Sequence, residues 1–411
     1  MKVLFVPWSQ PTFYYQMVPL AWALRAAGAE VRVAGQPQLA DAVKRSGLTI
    51  TQVGAGYDYL PAFQRIADEI ARHNREHPDR KADLERKAAP TPEMRRRVLE
   101  RKFAPFVETA TAMAGELVEL AGAWRPDLVV SNPFVLAAPL AAHASGARLV
   151  HHLTGPAVER QMGFFPGSGA APELWTQSLL RLFEGYGVPV RPEYASATVD
   201  PCPQSLQYPG TPDRLPVRFV PYNGPGDAPL WLSRPAGRPR VCVTWGTTTT
   251  QLGGEDSFLV PDILAALSGL DTEVVLAVKG SDRELLGEVP ANVRVVEDLP
   301  LHLLLPSCDA IVHQGGTGTM LTAASFGVPQ VLIAGMLDQV ATATRLASSG
   351  AGLHLDAAGF SPAALTAAVG AALADGTVRK AADALRQEIA DQPSPADVAG
   401  QLADAPAVHA A

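Results

Sequence analysis

The sequence predicts an α/β fold of two parallel-sheet domains that face each other across a cleft. Three observations lead to this prediction. Short buried-strand runs alternate with helical segments in the first half of the chain, the alternation resumes in the second half, and a stretch dense in proline and glycine lies between them. A chain of 411 residues also exceeds what one hydrophobic core usually serves. We predict a first domain over residues 1–215, a linker over 216–236 and a second domain over 237–390.

The first domain begins with a strand–helix–strand unit. A short apolar run predicts a strand over residues 2–6, and the next helix has Pro19 in its first turn and Gly28 just past its end. A second strand over residues 30–35 completes the unit. The later elements of this half are predicted strands over residues 127–131 and 147–153 and a helix over residues 136–145.

Residues 63–102 interrupt the alternation with Arg, Lys, Glu and Asp side chains and few large apolar residues. One interpretation is a solvated helical excursion. The other is a mobile flap over the cleft, because long insertions in α/β domains often lie at the ligand. The interleaved carboxylates argue against a DNA-binding arm.

The second half repeats the pattern after a passage without helical period. Residues 197–240 are rich in proline and glycine, so we expect a linker that contains one strand, over residues 217–222. The predicted elements that follow are helices over residues 260–270 and 319–327 and strands over residues 240–246, 273–278, 293–299, 309–314 and 329–335. Open α/β sheets bind ligands at the carboxyl ends of their strands, which predicts a site between the two domains.

Composition excludes several classes of partner. The net charge of −7 argues against nucleic acid or an anionic membrane surface as the main partner. The three cysteines, Cys202, Cys242 and Cys308, lack metal-ligand spacing and fit a reducing compartment. The N-terminal apolar run is broken by Pro7 before it reaches the length of a signal peptide, and no stretch approaches the ~20 apolar residues of a membrane span. We therefore expect a soluble cytoplasmic protein.

Two loops at strand ends have the residues of an anion site. Gly315, Gly316 and Gly318 alternate with Thr317 and Thr319 between a predicted strand and a predicted helix. Such a turn presents backbone N–H groups and the positive end of a helix to an anion, although a tight turn alone would also explain the glycines. The pattern is neither G-x-G-x-x-G nor a P-loop.

The second loop follows another strand of the same predicted domain. Gly246 ends that strand and four threonines, residues 247–250, come after it. Because the carboxyl ends of parallel strands meet at one edge of a sheet, the two loops converge. Their amides and hydroxyls would hold a diphosphate without any lysine.

The stretch VHQGGTGTMLTAASFGVPQVLIAGMLDQVATATRLASSGAG resembles the nucleotide-sugar-binding signature of GT-B glycosyltransferases. More narrowly, it resembles the bacterial enzymes that attach deoxysugars to polyketide natural products. MVPLAWALRAAGAEVRVAGQP is similar to the first β-α-β unit of that family, and VDPCPQSLQ and VRFVPYNGPG are similar to its interdomain passage. The resemblance implies two Rossmann-like domains, an acceptor-binding one first and a donor-binding one second. It also implies a last helix, within residues 391–411, that crosses back to the first domain.

The implied activity is metal-independent transfer of a sugar from a dTDP-sugar to an aromatic polyketide or related aglycone, with C-glycosylation as one form. No cofactor is implied besides the nucleotide-sugar co-substrate, and no Asp-x-Asp motif suggests a metal. The expected partners are this donor and a hydrophobic acceptor, with no nucleic acid or membrane, and a homodimer is the candidate assembly. Two alternatives stay open, a nucleotide-sugar epimerase of the same fold and a non-catalytic partner of another glycosyltransferase.

The resemblance assigns the donor site residue by residue. His313 matches the position whose ring contacts the diphosphate, and Gln314 stands where many relatives have a second histidine. Asp338 and Gln339 match an acidic–glutamine pair that binds sugar hydroxyls, although Asp338 read alone would suit a helix N-cap. The full expected donor set is Gly246, Thr247, Thr248, His313, Gln314, Gly315, Gly316, Thr317, Gly318, Thr319, Asp338 and Gln339.

The chain departs from the family at the general base. Phe13 occupies the position of the usual catalytic histidine, and a phenyl ring cannot accept a proton. Another residue is then the base, or the acceptor is a phenol or activated carbon that needs a weaker one, or the protein is not catalytic. Asp58 between two tyrosines and His152, with His151 beside it, are the candidates. A turn residue and a core imidazole are the plainer interpretations.

Aromatic side chains in the first domain predict the acceptor site. The expected set is Phe13, Tyr14, Tyr15, Tyr57 and Phe134, and Asn132 could orient an acceptor without deprotonating it. Flat rings suit a polycyclic acceptor, although aromatic residues near strand ends are often simply core.

Overall fold

The computed structural model describes residues 1–76, 92–163, 165–247, 249–254 and 257–405. Two sheets organise these residues, and all their strand pairings are parallel, as predicted. No helix of the described residues is long and apolar enough to cross a membrane.

The first sheet has seven strands in the order β3-β2-β1-β4-β5-β6-β7. They are β1 Lys2–Val6, β2 Glu30–Gly35, β3 Ile50–Gln52, β4 Leu128–Ser131, β5 Arg148–His152, β6 Ala197–Asp200 and β7 Arg214–Pro216. The second sheet has six strands in the order β10-β9-β8-β11-β12-β13. They are β8 Arg240–Thr244, β9 Glu273–Val278, β10 Val293–Glu297, β11 Ala310–His313, β12 Gln330–Ala334 and β13 Gly352–Asp356.

Helices cover both faces of each sheet. Those of the first domain are α1 Pro11–Ala26, α2 Ala40–Arg45, α3 Leu60–Glu76, α4 Pro92–Trp124, α5 Ala138–Ser145, α6 Val158–Met162 and α7 Gln177–Gly185. Those that follow are α8 Thr249–Gly253, α9 Val260–Leu267, α10 Leu301–Leu304, α11 Thr317–Ser325, α12 Leu337–Ser349, α13 Pro362–Ala374, α14 Gly376–Asp391 and α15 Pro395–Asp404. Short 3₁₀ turns cover Pro37–Leu39, Pro172–Leu174, Leu230–Ser233, Gly280–Leu286, Leu305–Ser307 and Ala357–Gly359.

The last helix returns to the first domain. Val398, Ala399 and Leu402 of α15 are buried in the same core as Leu20 and Leu24 of α1. Full burial of a Val or Leu side chain stabilises a fold by about 1.5–3 kcal/mol, so this contact is a substantial tie between the ends of the chain. The predicted crossing helix is confirmed.

Helix α1 begins earlier than predicted. Pro11 occupies its first turn after an extended Gln10, so Pro19 lies inside the helix. Proline fits the first turn because its missing N–H would be unsatisfied there in any case. Phe13 consequently lies in the first turn of α1.

The predicted strand over residues 217–222 is wrong. The strands of this passage are β6 and β7, and the sheet ends at Pro216. Beyond Val217 the backbone leaves the sheet, because Arg218 N–H donates to Pro393 O (2.7 Å) near the returning helix. Farther on, Asn223 fixes this passage to the second domain by accepting from His302 N–H (2.9 Å) and donating to Thr322 Oγ1 (3.2 Å).

The charged excursion is helical at both ends. Helices α3 and α4 flank residues 77–91, which lie outside the described residues. Helix α3 packs against α8 of the second domain, and Gln64 Nε2 donates to Gln251 O (2.9 Å). The described part of the excursion therefore reaches across the cleft.

Candidate active site

The glycine-rich loop after β11 lies where the two domains touch. A Cβ atom built on Gly155 of the first domain would lie 2.8 Å from Cβ of Thr317. At the next residue, in the first turn of α11, a Cβ built on Gly318 would lie 3.4 Å from Nε2 of Gln16 in α1. Both first-domain residues follow strands of the first sheet, so the strand ends of the two sheets meet here, as predicted for a ligand cleft.

Several buried polar atoms around this cleft have no hydrogen-bond partner among the described residues. Leaving such an atom unpaired costs about 1–3 kcal/mol, so each one indicates either a ligand or water. These atoms belong to Ser9, Gln16, Ser131, Thr250 and Gln314. They lie close to the strand ends or on the elements that pack there.

Both ring nitrogens of His313 form hydrogen bonds within the protein. The ring is fully buried, Gly315 N–H donates to Nδ1 (3.2 Å), and Nε2 lies 3.0 Å from Gln330 Oε1. Because Nδ1 accepts, the proton is on Nε2, which donates to Gln330. Burial lowers the pKa of His313 to about 4, so the ring is neutral. In this arrangement His313 shapes the glycine loop.

The buried amide of Gln314 lies between Gly246 and Gly316. Its Oε1 is buried and unpaired, and its Nε2 would lie 2.2 Å from a Cβ on Gly246 and 2.9 Å from a Cβ on Gly316. Glycine at both positions leaves the space that this amide fills. Gly246 also has φ +70°, a conformation that favours glycine.

The first turn of α11 has backbone N–H groups available to a ligand. Gly316 is its N-cap and supplies no capping side chain, so Thr317, Gly318 and Thr319 lack the usual partner. Gly315 has φ +97°, and a Cβ there would lie 3.2 Å from Gln339 O. Glycine therefore allows the loop to pass close to α12 and to aim these amides into the cleft.

The threonine loop after β8 closes the other side of this space. Gly246 and Thr247 lead into α8, Thr248 lies outside the described residues, and Thr250 has a buried hydroxyl without a partner. Thr249 Oγ1 accepts from Gln339 Nε2 (3.2 Å), which joins this loop to the start of α12.

Asp338 and Gln339 differ in their surroundings. Gln339 Oε1 accepts from the N–H groups of Met336 (3.3 Å) and Gly335 (3.5 Å), so its amide organises the helix start. Met336, not Asp338, is the N-cap. Asp338 is exposed to solvent, yet the protein around it desolvates its carboxyl and raises the pKa.

Asp58 makes a local hydrogen bond at the start of α3. Its Oδ1 accepts from Leu60 N–H (3.0 Å) at the start of α3, and the residue is exposed. The flanking tyrosines turn away from it, since Tyr57 Oη donates to Glu108 (2.6 Å) and Tyr59 Oη donates to Ser9 O (3.0 Å). The aromatic setting expected around Asp58 is therefore not observed, and its catalytic role stays a prediction.

His151 and His152 are both buried at the end of β5, on opposite faces of the sheet. Burial lowers the pKa of each to about 4. Nδ1 of His152 donates to Leu153 O (2.8 Å) when Nε2 carries the lone pair. Asn132, fully buried, accepts from Trp8 N–H (2.9 Å) and donates to His152 O (3.0 Å), so it ties three strand ends together.

The predicted acceptor aromatics divide into two groups. Phe13 meets Phe134 edge to face (5.7 Å between centroids), and Tyr57 packs on the same cluster. Tyr14 and Tyr15 were expected there but lie elsewhere, because successive residues of α1 point about 100° apart. Tyr14 is buried on the opposite face with Oη 2.5 Å from Ser46 Oγ, and Tyr15 meets Tyr222 of the interdomain passage.

The rings around Phe134 form a continuous aromatic group at the end of the first sheet, in which Trp8, Tyr59 and Phe165 are buried and the others are half-buried. Its rings lie 4.9–6.4 Å apart, mostly edge to face. The members are Trp8, Phe13, Tyr59, Phe63, Phe106, Phe134 and Phe165. We call this set the aromatic cluster. Sequence analysis found two of its rings, while the others come from distant segments that only the fold brings together.

Glu159 has a shifted carboxyl group that the sequence did not single out. It lies in α6, just after β5, and is half-buried. Desolvation raises the pKa of its carboxyl to about 7. The position follows the strand end that carries His151 and His152, which was the available signal, but a helix of five residues leaves no periodic pattern.

Comparison with known proteins gives a consistent family. The profile of the erythromycin biosynthesis protein CIII-like N-terminal domain matches residues 22–246, and that of the C-terminal domain matches residues 261–405. Tylactone mycaminosyltransferase of Streptomyces fradiae is 36% identical across all of this chain and 93% of its own length. TDP-daunosamine transferase DnrS of Streptomyces peucetius is 37% identical across all of this chain and 98% of its own length.

A solved structure has the same architecture. The glycosyltransferase VinC in complex with dTDP superposes with a TM-score of 0.76 at 31% identity, over 98% of each chain. Sequence similarity and shape thus agree over nearly the whole chain.

Proposed function

Because the chain belongs to the erythromycin biosynthesis protein CIII-like family and is a GT-B glycosyltransferase, we propose that it transfers a deoxysugar from a dTDP-sugar to a polyketide aglycone. The relatives are named for deoxysugar transfer, and one neighbour holds dTDP. The observation that carries the proposal is the contact of the glycine-rich loop with the first domain, in a region where buried polar atoms such as Gln16 Oε1 and Gln314 Oε1 are unpaired.

The diphosphate would lie between the two loops of the second domain. The N–H groups of Thr317, Gly318 and Thr319 and the positive end of α11 would face its charge. The Gln314 amide would donate from the side of Gly246. His313 would act by holding Gly315 in place, because both of its ring nitrogens are already engaged.

The sugar would extend toward the start of α12, where the Asp338 carboxylate can accept from two adjacent hydroxyls. Gln339 would fix the geometry from behind through Thr249. The acceptor would lie on the aromatic cluster, whose flat rings favour an aromatic polyketide.

The reaction is a displacement at the anomeric carbon. The acceptor's nucleophilic atom forms the new bond while the bond to the diphosphate oxygen breaks, and dTDP leaves with the electron pair. Amides and the helix end stabilise the charge that develops on the leaving oxygen, as preorganised donors do in other active sites. Phe13 cannot take the acceptor's proton, so either another residue takes it or the acceptor is a phenol or an activated carbon that needs a weaker base.

Thermal unfolding with a panel of nucleotides tests the donor half of the proposal. Ligand that binds only the folded state raises the midpoint by mass action, by about 2.7 kcal/mol at a hundredfold excess over Kd. We expect dTDP and dTDP-sugars to raise it more than UDP or ADP. Equal shifts for all of them, or none, would contradict a dTDP-specific site.

A further inference from the structure

We propose that Glu159 is the general base that takes the proton from the acceptor. This inference rests on the proposed glycosyl transfer and fills the role that Phe13 leaves vacant. It follows from where α6 lies, how the loop before it is held, and the lack of any partner for the carboxylate.

The loop that leads into α6 lies against the donor loop. Gly155 is so close to Thr317 that a Cβ atom would lie 2.8 Å from it. Four residues later, Glu159 is in the first turn of α6. Residues 155–159 thus connect the point of contact with the glycine-rich loop to the Glu159 carboxylate.

Gln207 fixes that stretch. Its Oε1 accepts from Ala157 N–H (2.8 Å), and its Nε2 donates to the buried Asp200 (2.9 Å), which also pairs with Arg214 (2.6 Å). The second domain holds the same passage, because Arg345 of α12 donates to the carbonyls of residues 205–207 (2.9–3.0 Å). A base needs a fixed backbone to keep its distance from the reacting atom.

The Glu159 carboxylate has no ion pair and no side-chain hydrogen bond in the described part of the protein. Its neighbour Arg160 is taken by Glu193 at 2.6 Å. Burying a carboxylate without a partner is costly, and structural carboxylates in this chain avoid it, as Asp200 and Glu273 do with Arg214 and Arg240. A half-buried carboxylate without such a partner is typical of a functional group.

The ionisation of Glu159 suits proton transfer. Desolvation raises its pKa to about 7, and the charge of Asp200 adds to this, while its own backbone N–H and Arg160 lower it. A base works best when its pKa lies near the working pH. The other candidates suit less well, since Asp58 caps α3 and burial lowers the pKa of His151 and His152 to about 4.

In the proposed step, an acceptor hydroxyl approaches the anomeric carbon. Its O–H bond breaks and the proton passes to a carboxylate oxygen of Glu159. The hydroxyl oxygen forms the glycosidic bond as the bond to the diphosphate breaks, and dTDP leaves with that electron pair. Solvent takes the proton from Glu159 after product release, so the carboxylate is restored.

The test compares wild type with Glu159→Gln, which keeps shape and polarity but cannot accept the proton. We expect kcat/KM for a phenolic acceptor to fall about 10²- to 10⁴-fold. In wild type kcat/KM should rise with pH to a plateau above about 7, and the variant should lose this limb. Glu173→Gln, at an exposed glutamate of the same domain, is the matched control and should retain both rate and profile.

Two further measurements separate a base from a structural role. An acceptor with a more acidic phenol should recover much of the rate of Glu159→Gln, since it needs less help to ionise. Glu159→Asp keeps a carboxylate, so its kcat/KM should be reduced but should still rise with pH. This variant also provides the test if Glu159→Gln does not fold. The dTDP-induced thermal shift should be unchanged in both.

The inference is overturned if Glu159→Gln transfers sugar at the wild-type rate with the wild-type pH profile. That result would leave the proposed function intact. Failure of the function itself would look different, because wild type would then transfer no sugar to any polyketide acceptor.

Discussion

At the scale of single residues, we expect His313 and Gln314, at the end of β11, to have different roles. Gln314→Leu removes the unpaired amide beside Gly246. A hydrogen bond to a charged group is worth about 1.5–3 kcal/mol, so we expect at least tenfold weaker dTDP binding by calorimetry, with little change in the unfolding midpoint of the free protein.

His313→Ala should behave differently from Gln314→Leu. It leaves Gln330 Oε1 without its donor and Gly315 N–H without its acceptor in a buried place. We expect the free energy of unfolding to fall by about 1–3 kcal/mol, and turnover to fall with it because the glycine loop loses its shape. A His313→Ala protein of normal stability that cannot bind dTDP would restore the direct-ligand role that the family resemblance assigned.

Asp338→Asn tests the sugar contact. The change keeps the size of the side chain and removes the charge from an exposed residue in the cleft. We expect a higher KM for the sugar nucleotide and an unchanged Kd for dTDP alone. Equal losses for the two ligands would place Asp338 on the nucleotide or in the scaffold.

At the scale of elements, the turn after β8 must stay free of side chains. Gly246→Ala would bring a Cβ within 2.2 Å of Gln314 Nε2, at φ +70°. Gly254→Ala is a matched control, because Gly254 has φ +72° but no atom of the described residues lies within 4 Å of its Cβ position. Both should lose about 1–2 kcal/mol of stability from backbone strain, measured by denaturant unfolding. Only Gly246→Ala should also lose dTDP binding. Equal dTDP binding by the two variants would contradict a diphosphate site between the loops after β8 and β11.

The same scale separates what the sequence could predict from what it could not. Strands such as Lys2–Val6 and Glu273–Val278 are continuous apolar runs, and their observed bounds coincide with the predicted ones. Strands β6 and β7 have four and three residues among prolines, too short for a periodic signal, and were read as linker. In the candidate site, glycines directly after predicted strands were enough to predict the loops that follow β8 and β11. The partner of an imidazole such as His313 and the pKa of a carboxylate such as Glu159 depend on segments far away in sequence.

At the scale of the whole molecule, buried histidines in both domains make stability depend on pH. Burial lowers the pKa of His151, His152 and His313 to about 4, against the ordinary 6.5. The unfolded chain therefore binds these protons first as pH falls, and stability is lost between about pH 6.5 and 4. The raised pKa of Glu159 acts in the opposite sense, since its contribution is lost as pH rises through about 7.

The three buried histidines outweigh the carboxyls with a raised pKa, Glu159, Asp200 and Asp338, so we expect the unfolding midpoint to fall as pH is lowered from 6.5 to 4. Each imidazole can contribute on the order of 1–3 kcal/mol to this loss. Differential scanning calorimetry across this range measures it. A midpoint that stays constant or rises on acidification would show that these rings are not buried as neutral groups.

The proposed transfer requires that the cleft between the two domains bring donor and acceptor together. Helix α3 and the Gly155 loop both reach from the acceptor side to the donor side, and α15 returns from the second domain to the first. The most direct test is to incubate the purified protein with a dTDP-deoxysugar and an aromatic polyketide aglycone and to follow all species by mass spectrometry. We predict a glycosylated aglycone and free dTDP in equal amounts. Conversion of the donor to an isomer without a glycosylated product, or an unchanged donor with every aglycone supplied, would contradict the account.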